Sequence, residues 1–118
     1  ICPVDGTISA LGSLVQGQLL QAKGMYYDIT KLTADPKLTA LFSNGQFATL
    51  YLAPSNYHRV HMPIDGKLMW MTYIPGKLFS VNQSTAESIP DLFCKNERLY
   101  CHFETAYGPL GMVLVGAM

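Results

Sequence analysis

Phe47-Ala48-Thr49-Leu50-Tyr51-Leu52 runs directly into Ala53-Pro54-Ser55-Asn56-Tyr57-His58-Arg59-Val60-His61-Met62-Pro63. The first six residues alternate and are largely apolar, which predicts a core β-strand. The next stretch changes character. Pro54 suits the start of a turn, and Ser55 and Asn56 are good helix N-caps. We therefore expect a single helical or 3₁₀ turn over 54–61, set between two strands. Positions three apart in such a turn share a side, so His58 and His61 would face one pocket. In an extended strand they would point to opposite faces. Two groups titrating near neutrality in one turn fit proton-transfer chemistry. Structural histidines are the plainer reading, and the pair alone does not decide between them. A metal site is a poor fit, because the stretch has neither an HExxH motif nor a third ligand at usable spacing.

Outward from that stretch the chain reads mostly as β structure. Pro63-Ile64-Asp65-Gly66-Lys67-Leu68 matches Pro3-Val4-Asp5-Gly6-Thr7-Ile8 class for class, without a gap. Asp-Gly is strong turn chemistry, so both segments predict a turn feeding a strand. The first strand runs on to Gly12, a second covers about 19–23, and a third about 68–73. Asp28 can cap a short helix over 29–33, and Pro36 opens another over 37–42 that stops at Asn44-Gly45. Beyond Pro75-Gly76 we expect a brief strand at 79–81, a polar loop at 84–90 and one helical turn at 90–93. An alternating strand over 98–105, a turn at Tyr107-Gly108-Pro109 and a buried strand over 110–115 complete the reading. The fold class is mainly β (α+β), an antiparallel β sandwich or barrel with short helices, in one domain of 118 residues.

Composition narrows the function. Eight basic residues balance eight acidic ones, so electrostatics offer nothing to nucleic acid. Charged residues make up only 14% of the chain and hydrophobic ones 49%, so its surface should meet something apolar, either more protein or a membrane. No apolar run reaches about 18 residues, and no signal peptide is evident. The three cysteines, Cys2, Cys94 and Cys101, give no disulfide framework, and Cys94, Cys101 and His102 lack a zinc spacing. The opening Ile1-Cys2-Pro3 and the closing apolar run at 113–118 lead us to expect a longer protein.

Several of these segments together resemble one family. Tyr57-His58-Arg59-Val60-His61, followed by Pro63, closely resembles the YHRVH-P segment of phosphatidylserine decarboxylase proenzymes. Pro75-Gly76-Lys77-Leu78-Phe79-Ser80-Val81-Asn82 is similar to their PG-LFSVN, and Asn96-Glu97-Arg98 to their NER. Gly116-Ala117 ends a strand in their L-V-G-A manner. Pro3-Val4-Asp5-Gly6 and Leu20-Gln21-Ala22-Lys23-Gly24 resemble their P-DG and Q-KG. The resemblance implies a lyase that cuts itself at a Leu-Gly-Ser-Thr motif, leaving a pyruvoyl group on a smaller (α) subunit. That carbonyl would take the amine of phosphatidylserine and act as the electron sink while carbon dioxide leaves, giving phosphatidylethanolamine. The chain would then be the core of the larger (β) subunit, without an N-terminal membrane-associating segment or the C-terminal pyruvoyl-bearing part. Its expected partners are the smaller subunit, phosphatidylserine and a membrane surface, with a homodimer left open. The expected location is the inner (cytoplasmic) membrane of a bacterium or the mitochondrial inner membrane.

Roles follow by matching positions. His61 matches the base that deprotonates the cleavage-site serine, and Asp5 the acid that orients it, a Ser-His-Asp arrangement whose serine is absent here. His58 matches the histidine assigned to proton transfer in decarboxylation. Arg59 could reach a lipid phosphate or be paired within the protein. Tyr57 and Phe79 are further candidate substrate contacts. Leu78, Met69, Trp70 and Met71 suit acyl chains or core packing. No Leu-Gly-Ser-Thr occurs; Leu11-Gly12-Ser13-Leu14 is the nearest and lies in the wrong region. Two alternatives stand beside this reading: a non-catalytic relative of the same fold, and a zinc peptidase of the hybrid-barrel kind. The latter needs an H-x-H pair where this chain has His58-x-x-His61. Asn56 departs from an aspartate found in some members, and we read it as the turn's cap. Asn56→Asp should accordingly leave self-cleavage of the complete gene product nearly unchanged, since the two cap about equally well. A several-fold change in cleavage rate on time-resolved gels would show a role beyond capping.

Overall fold

The computed structural model describes residues 7–51 and 62–118. Its elements run β1 (Thr7–Ser13), β2 (Gln18–Ala22), β3 (Met25–Asp28), α1 (Ile29–Thr33), α2 (Pro36–Leu41), β4 (Gln46–Tyr51), β5 (Gly66–Ile74), α3 (Gln83–Ser88), α4 (Leu92–Lys95), β6 (Arg98–Thr105) and β7 (Gly108–Val115). Every named strand pairs antiparallel: β1 with β4, β2 with β3, and β5-β6-β7 in that order. The mainly β, α+β reading therefore holds. Among the described residues the strands form three separate sheets.

Local chemistry explains most boundaries. Asp28 ends β3 and caps α1, accepting from the Thr30 amide at 2.6 Å. Asp35 does the same for Lys37 at 3.0 Å, with Pro36 pre-set in the first helical turn. Gly24, at φ +75°, turns β2 back into β3, a strand the sequence reading did not anticipate. Residues 84–90, expected to be a polar loop, begin as helix α3 instead. Asn82 accepts from the Thr85 amide and the Thr85 hydroxyl accepts from the Asn82 amide, both at 2.9 Å, so a capping box starts the helix. Residues 79–81, expected to be a strand, are not one. The Asn96 side chain takes the place of a neighbouring strand, accepting from the Phe79 amide at 2.9 Å and donating to its carbonyl at 2.8 Å. β7 sits at a sheet edge and is half-exposed rather than buried.

The core gathers where the β2–β3 hairpin meets α1 and α4. Leu14, Leu19, Tyr27, Ile29, Leu32, Leu92 and Phe93 form its buried cluster. The Phe93 ring stands edge-on to Tyr27, 5.5 Å between centroids. Three buried polar side chains tie this cluster to the rest. Gln21 on β2 donates to the Ala86 and Ile89 carbonyls at 2.8 and 2.7 Å and accepts from the Leu92 amide at 3.1 Å, joining the hairpin to α3 and α4. Asn96 also donates to the Gly116 carbonyl at 2.9 Å. Arg98, at the start of β6, donates to the carbonyls of Lys31 and Leu32 at 2.9 and 2.6 Å, and to those of Cys94 and Asn96 at 3.0 and 2.8 Å. These are the open carbonyls at the C-terminal ends of α1 and α4, where a cation is favoured. Nearby, Gly76 lies so close to the chain that a Cβ would stand 2.5 Å from the Lys95 carbonyl oxygen, so only glycine fits.

Removing the guanidinium strands several buried carbonyls at once. Arg98→Met in the complete gene product should lose about 3 kcal/mol of stability. Arg98→Lys should recover less than half of that, because one ammonium cannot reach two helix ends in the same geometry. Urea unfolding midpoints measure both, and near wild-type values for either would remove the tie from the account of the fold.

Candidate active site

Asp5, Asn56, Tyr57, His58, Arg59 and His61 lie outside the described residues, so the site is defined here by what flanks them. Thr7 and Tyr51 are paired across the β1–β4 ladder. Asp5 precedes Thr7 by two residues, and the histidine segment begins directly after Tyr51. The two segments that carry the candidate acid and the candidate bases therefore depart from the same end of one ladder. The chain returns at Met62 and enters β5 at Gly66, where a Cβ would lie 3.4 Å from the Met62 methyl and 3.1 Å from the Thr105 methyl. The Leu-Gly-Ser look-alike is elsewhere: Ser13 pairs with Gln46 at the opposite end of the ladder. Six residues of extended chain put it roughly 20 Å from the Thr7–Tyr51 end. Ser13 therefore stands at the end of the ladder away from where the Asp5 and histidine segments join it.

Tyr51 was not singled out by sequence reading. Its hydroxyl oxygen is buried with no hydrogen-bond partner among the described residues, and burial raises its pKa. A protonated phenol on the residue that leads into the histidine segment has a donor to offer. The signal available in sequence was only its place, one residue from the end of an alternating run. Phe79 is the one candidate substrate contact that the structure describes. Its backbone is held by Asn96, its ring is partly exposed, and the Lys77 ammonium lies 5.9 Å from the ring centre. That pairing leaves the ring available at the surface but gives it no enclosed pocket.

The third histidine forms a cluster of its own. Tyr100, His102 and Glu104 alternate along β6 and share a face. The Tyr100 hydroxyl lies 2.6 Å from His102 Nδ1, and Glu104 Oε1 lies 3.6 Å from Nε2. With a carboxylate facing Nε2, the network assigns the proton to Nε2 and makes Tyr100 the donor to Nδ1. Burial keeps the Tyr100 phenol protonated. The imidazole stacks on Trp70 of β5, 4.0 Å between centroids and 7° from parallel. His102 is 2% exposed, so this cluster locks β5 to β6 rather than meeting a substrate. Period-two spacing in the predicted strand was the signal that would have found it. Cys101 points to the other face of the sheet, so it does not converge with His102. Burial lifts the Cys94 thiol to about 11 and raises that of Cys101, which disfavours the thiolate of both. Among the described residues no group of His, Cys, Asp and Glu is arranged to hold a metal ion.

The class is thus an antiparallel β domain with short helices, whose histidine segment follows one ladder and precedes another sheet. Comparison with known proteins narrows it. The sequence profile of the phosphatidylserine decarboxylase family matches residues 1–118, and the chain belongs to that family. It is 58% identical over 118 residues to a phosphatidylserine decarboxylase proenzyme of Psychrobacter arcticus, covering 100% of this chain and 43% of that protein. The proenzyme of Legionella pneumophila strain Corby is 59% identical over 118 residues, with 99% of this chain and 42% of the relative covered. That of Pseudomonas entomophila is 55% identical over 119 residues, with 100% and 42% covered. The chain therefore spans well under half the length of the relatives it matches.

Tyr51→Phe removes a buried hydroxyl that has no partner among the described residues and should leave the thermal midpoint unchanged or raise it, since orphaned polar groups cost about 1–3 kcal/mol. A fall of several degrees would show that the hydroxyl has a partner in the assembled protein.

Proposed function

We propose that the protein containing this chain decarboxylates phosphatidylserine to phosphatidylethanolamine and carbon dioxide, with this chain as the core of the larger subunit. The observation that carries the reading is the family match over residues 1–118; the roles of Asp5 and the His58–His61 segment rest on their resemblance to the family's motifs. The Thr7–Tyr51 pairing supports it, because it starts both segments from one place. A pyruvoyl group formed from a serine outside these residues would supply the carbonyl electron sink that the reaction needs.

The residues of this chain have separable tasks. His61 takes the proton from the cleavage-site serine, and Asp5 holds the imidazole in the orientation and tautomer that make it a base. An ionised aspartate also stabilises the imidazolium that results. His58 handles the proton at the substrate α-carbon once carbon dioxide has gone. Arg59, Tyr57 and Phe79 are substrate contacts in this reading, with the guanidinium suited to a lipid phosphate. The partners are the smaller subunit cut from the same precursor, the lipid and a membrane surface. The low charge content agrees with work at such a surface, of an inner bacterial or mitochondrial membrane.

Three substitutions in the complete gene product separate these roles. His61→Ala and Asp5→Asn should block self-cleavage and leave one band on a denaturing gel. His58→Ala should cleave to two bands yet lose at least about a hundredfold in turnover, the scale of a lost general acid–base. Cleavage by His61→Ala together with failure of His58→Ala would reverse the assignment. An intact mass without a pyruvoyl-capped small chain would overturn the mechanism.

A further inference from the structure

The β5-β6-β7 sheet has two unlike faces. Residues paired across antiparallel strands project to the same side. On one side Trp70, His102 and Gly111 align, as do Thr72, Tyr100 and Val113, and Ile74, Arg98 and Val115. That side carries the Arg98 tie and packs Val113 and Val115 toward the core. On the other, Leu68, Phe103 and Leu110 align, then Met71, Cys101 and Met112, then Tyr73, Leu99 and Leu114. This outer face is three rows of three, all apolar apart from one phenol oxygen. Met71 and Tyr73 are 57% and 61% exposed, and Leu68 and Leu114 are exposed as well. A shallow hollow of about 280 Å³ opens between Tyr73, Leu99 and Leu114 at one end. A contiguous apolar face of this extent is of the size that marks an interaction site.

We infer that this outer face docks another segment of the same polypeptide, drawn from the part of the family's length that residues 1–118 do not match. The inference rests on the reading above, that the working protein is a longer decarboxylase proenzyme. Three observations select this occupant. The relatives are matched over only 42–43% of their length, so a larger share of each is free to supply a covering layer. Strand spacing and rise give the face roughly 300 Å². That is well short of the roughly 800 Å² per partner of a stable separate complex, whereas a tethered segment docks at high effective concentration. Charge argues against an anionic lipid surface. The rows end at Gly66, Thr105 and Gly108 on one side and at Glu97 on the other, with no Lys or Arg in register on the face. Glu97 already accepts from the Tyr73 hydroxyl at 2.7 Å, which puts a carboxylate at the rim of the hollow. The face thus fits an apolar β-layer or helix that brings a hydrogen-bond donor to Glu97.

The test uses the complete gene product. Met71→Cys and Leu114→Cys place thiols on the face, and Tyr107→Cys, at a position 89% exposed in the β6–β7 turn, is the reference. Maleimide labelling is followed by mass spectrometry of the peptides. The expected result is labelling at 71 and 114 at least tenfold slower than at 107, at every protein concentration and without lipid. Any smaller difference overturns the inference. Protection that vanishes on dilution assigns the face to a second copy, and protection that needs phosphatidylserine vesicles assigns it to a bilayer; either result also overturns it. Peroxide oxidation of Met71 and Met112 in the unsubstituted protein, relative to Met118, repeats the test without a substitution. Decarboxylation is measured on the same samples. Absent turnover in the unsubstituted protein counts against the functional reading, while the labelling ratio alone decides the docking.

Discussion

The buried guanidinium of Arg98 is the constraint on which the fold turns. A charge of that kind is tolerated inside a protein only when its donors are met. Here four carbonyls meet them, at the ends of two helices that are far apart in sequence. Because Arg98 opens β6, the same residue sets where the three-stranded sheet begins relative to α1 and α4. Asn96, two residues earlier and fully buried, fixes the Phe79 backbone and the end of β7. Glu97 between them bonds through its backbone to Lys77 and Gly116. The Asn-Glu-Arg run that carries the family resemblance is thus a scaffold element. Gln21 in the Leu20-Gln21-Ala22-Lys23-Gly24 stretch and Gly76 after Pro75 are others, each forced by a close backbone approach or an open helix end.

Legibility in the sequence tracked how local the physics was. Helix α1 was predicted with its observed bounds, because Asp28 caps it from next door. β6 was read as residues 98–105 because its alternation is strict. Helix α3 was missed, because Ser84, Thr85 and Ser88 look like loop residues until the Asn82–Thr85 box is recognised. The strand assigned to 79–81 failed for the opposite reason. Phe79-Ser80-Val81 has strand-like composition, but its pairing partner is a side chain seventeen residues away. β3 is four residues long and depends on the Gly24 turn for its pairing, so composition alone gave it no weight.

The candidate site shows a different division. Candidate proton-transfer residues were legible as types and spacings, but the roles proposed for them came from the family resemblance alone. The β1–β4 register adds something neither could give, a shared origin for the Asp5 and His58–His61 segments. It also sets Ser13 at the far end of the same ladder. The Tyr100–His102–Glu104 cluster warns against reading every buried histidine as catalytic. The His102 Nδ1 bonds to Tyr100 of the same strand, Glu104 lies 3.6 Å from Nε2, and the ring is spent on stacking with Trp70.

Low charge content and the outer sheet face are two sides of one fact. A chain with 14% charged residues cannot surround a core of this size with ionised side chains. In the hairpin half the apolar residues converge on Leu19, Tyr27, Leu32 and Phe93, and polar amides close the gaps. In the three-stranded half they appear on both faces of the sheet, with only one face turned to the core. An antiparallel sheet that ended at solvent would alternate apolar and polar rows. The rows of Leu68, Met71 and Tyr73 with their partners on β6 and β7 do not. Arg98 belongs to the three-stranded half and reaches back to the helix ends of the other, so it joins the two, and the sheet with the uncovered face is entered directly after the histidine segment. A layer that covered that face would therefore also pack beside Met62 and Gly66, next to where the candidate bases leave the described fold. Assembly of the working protein and completion of its site would then be coupled through one sheet.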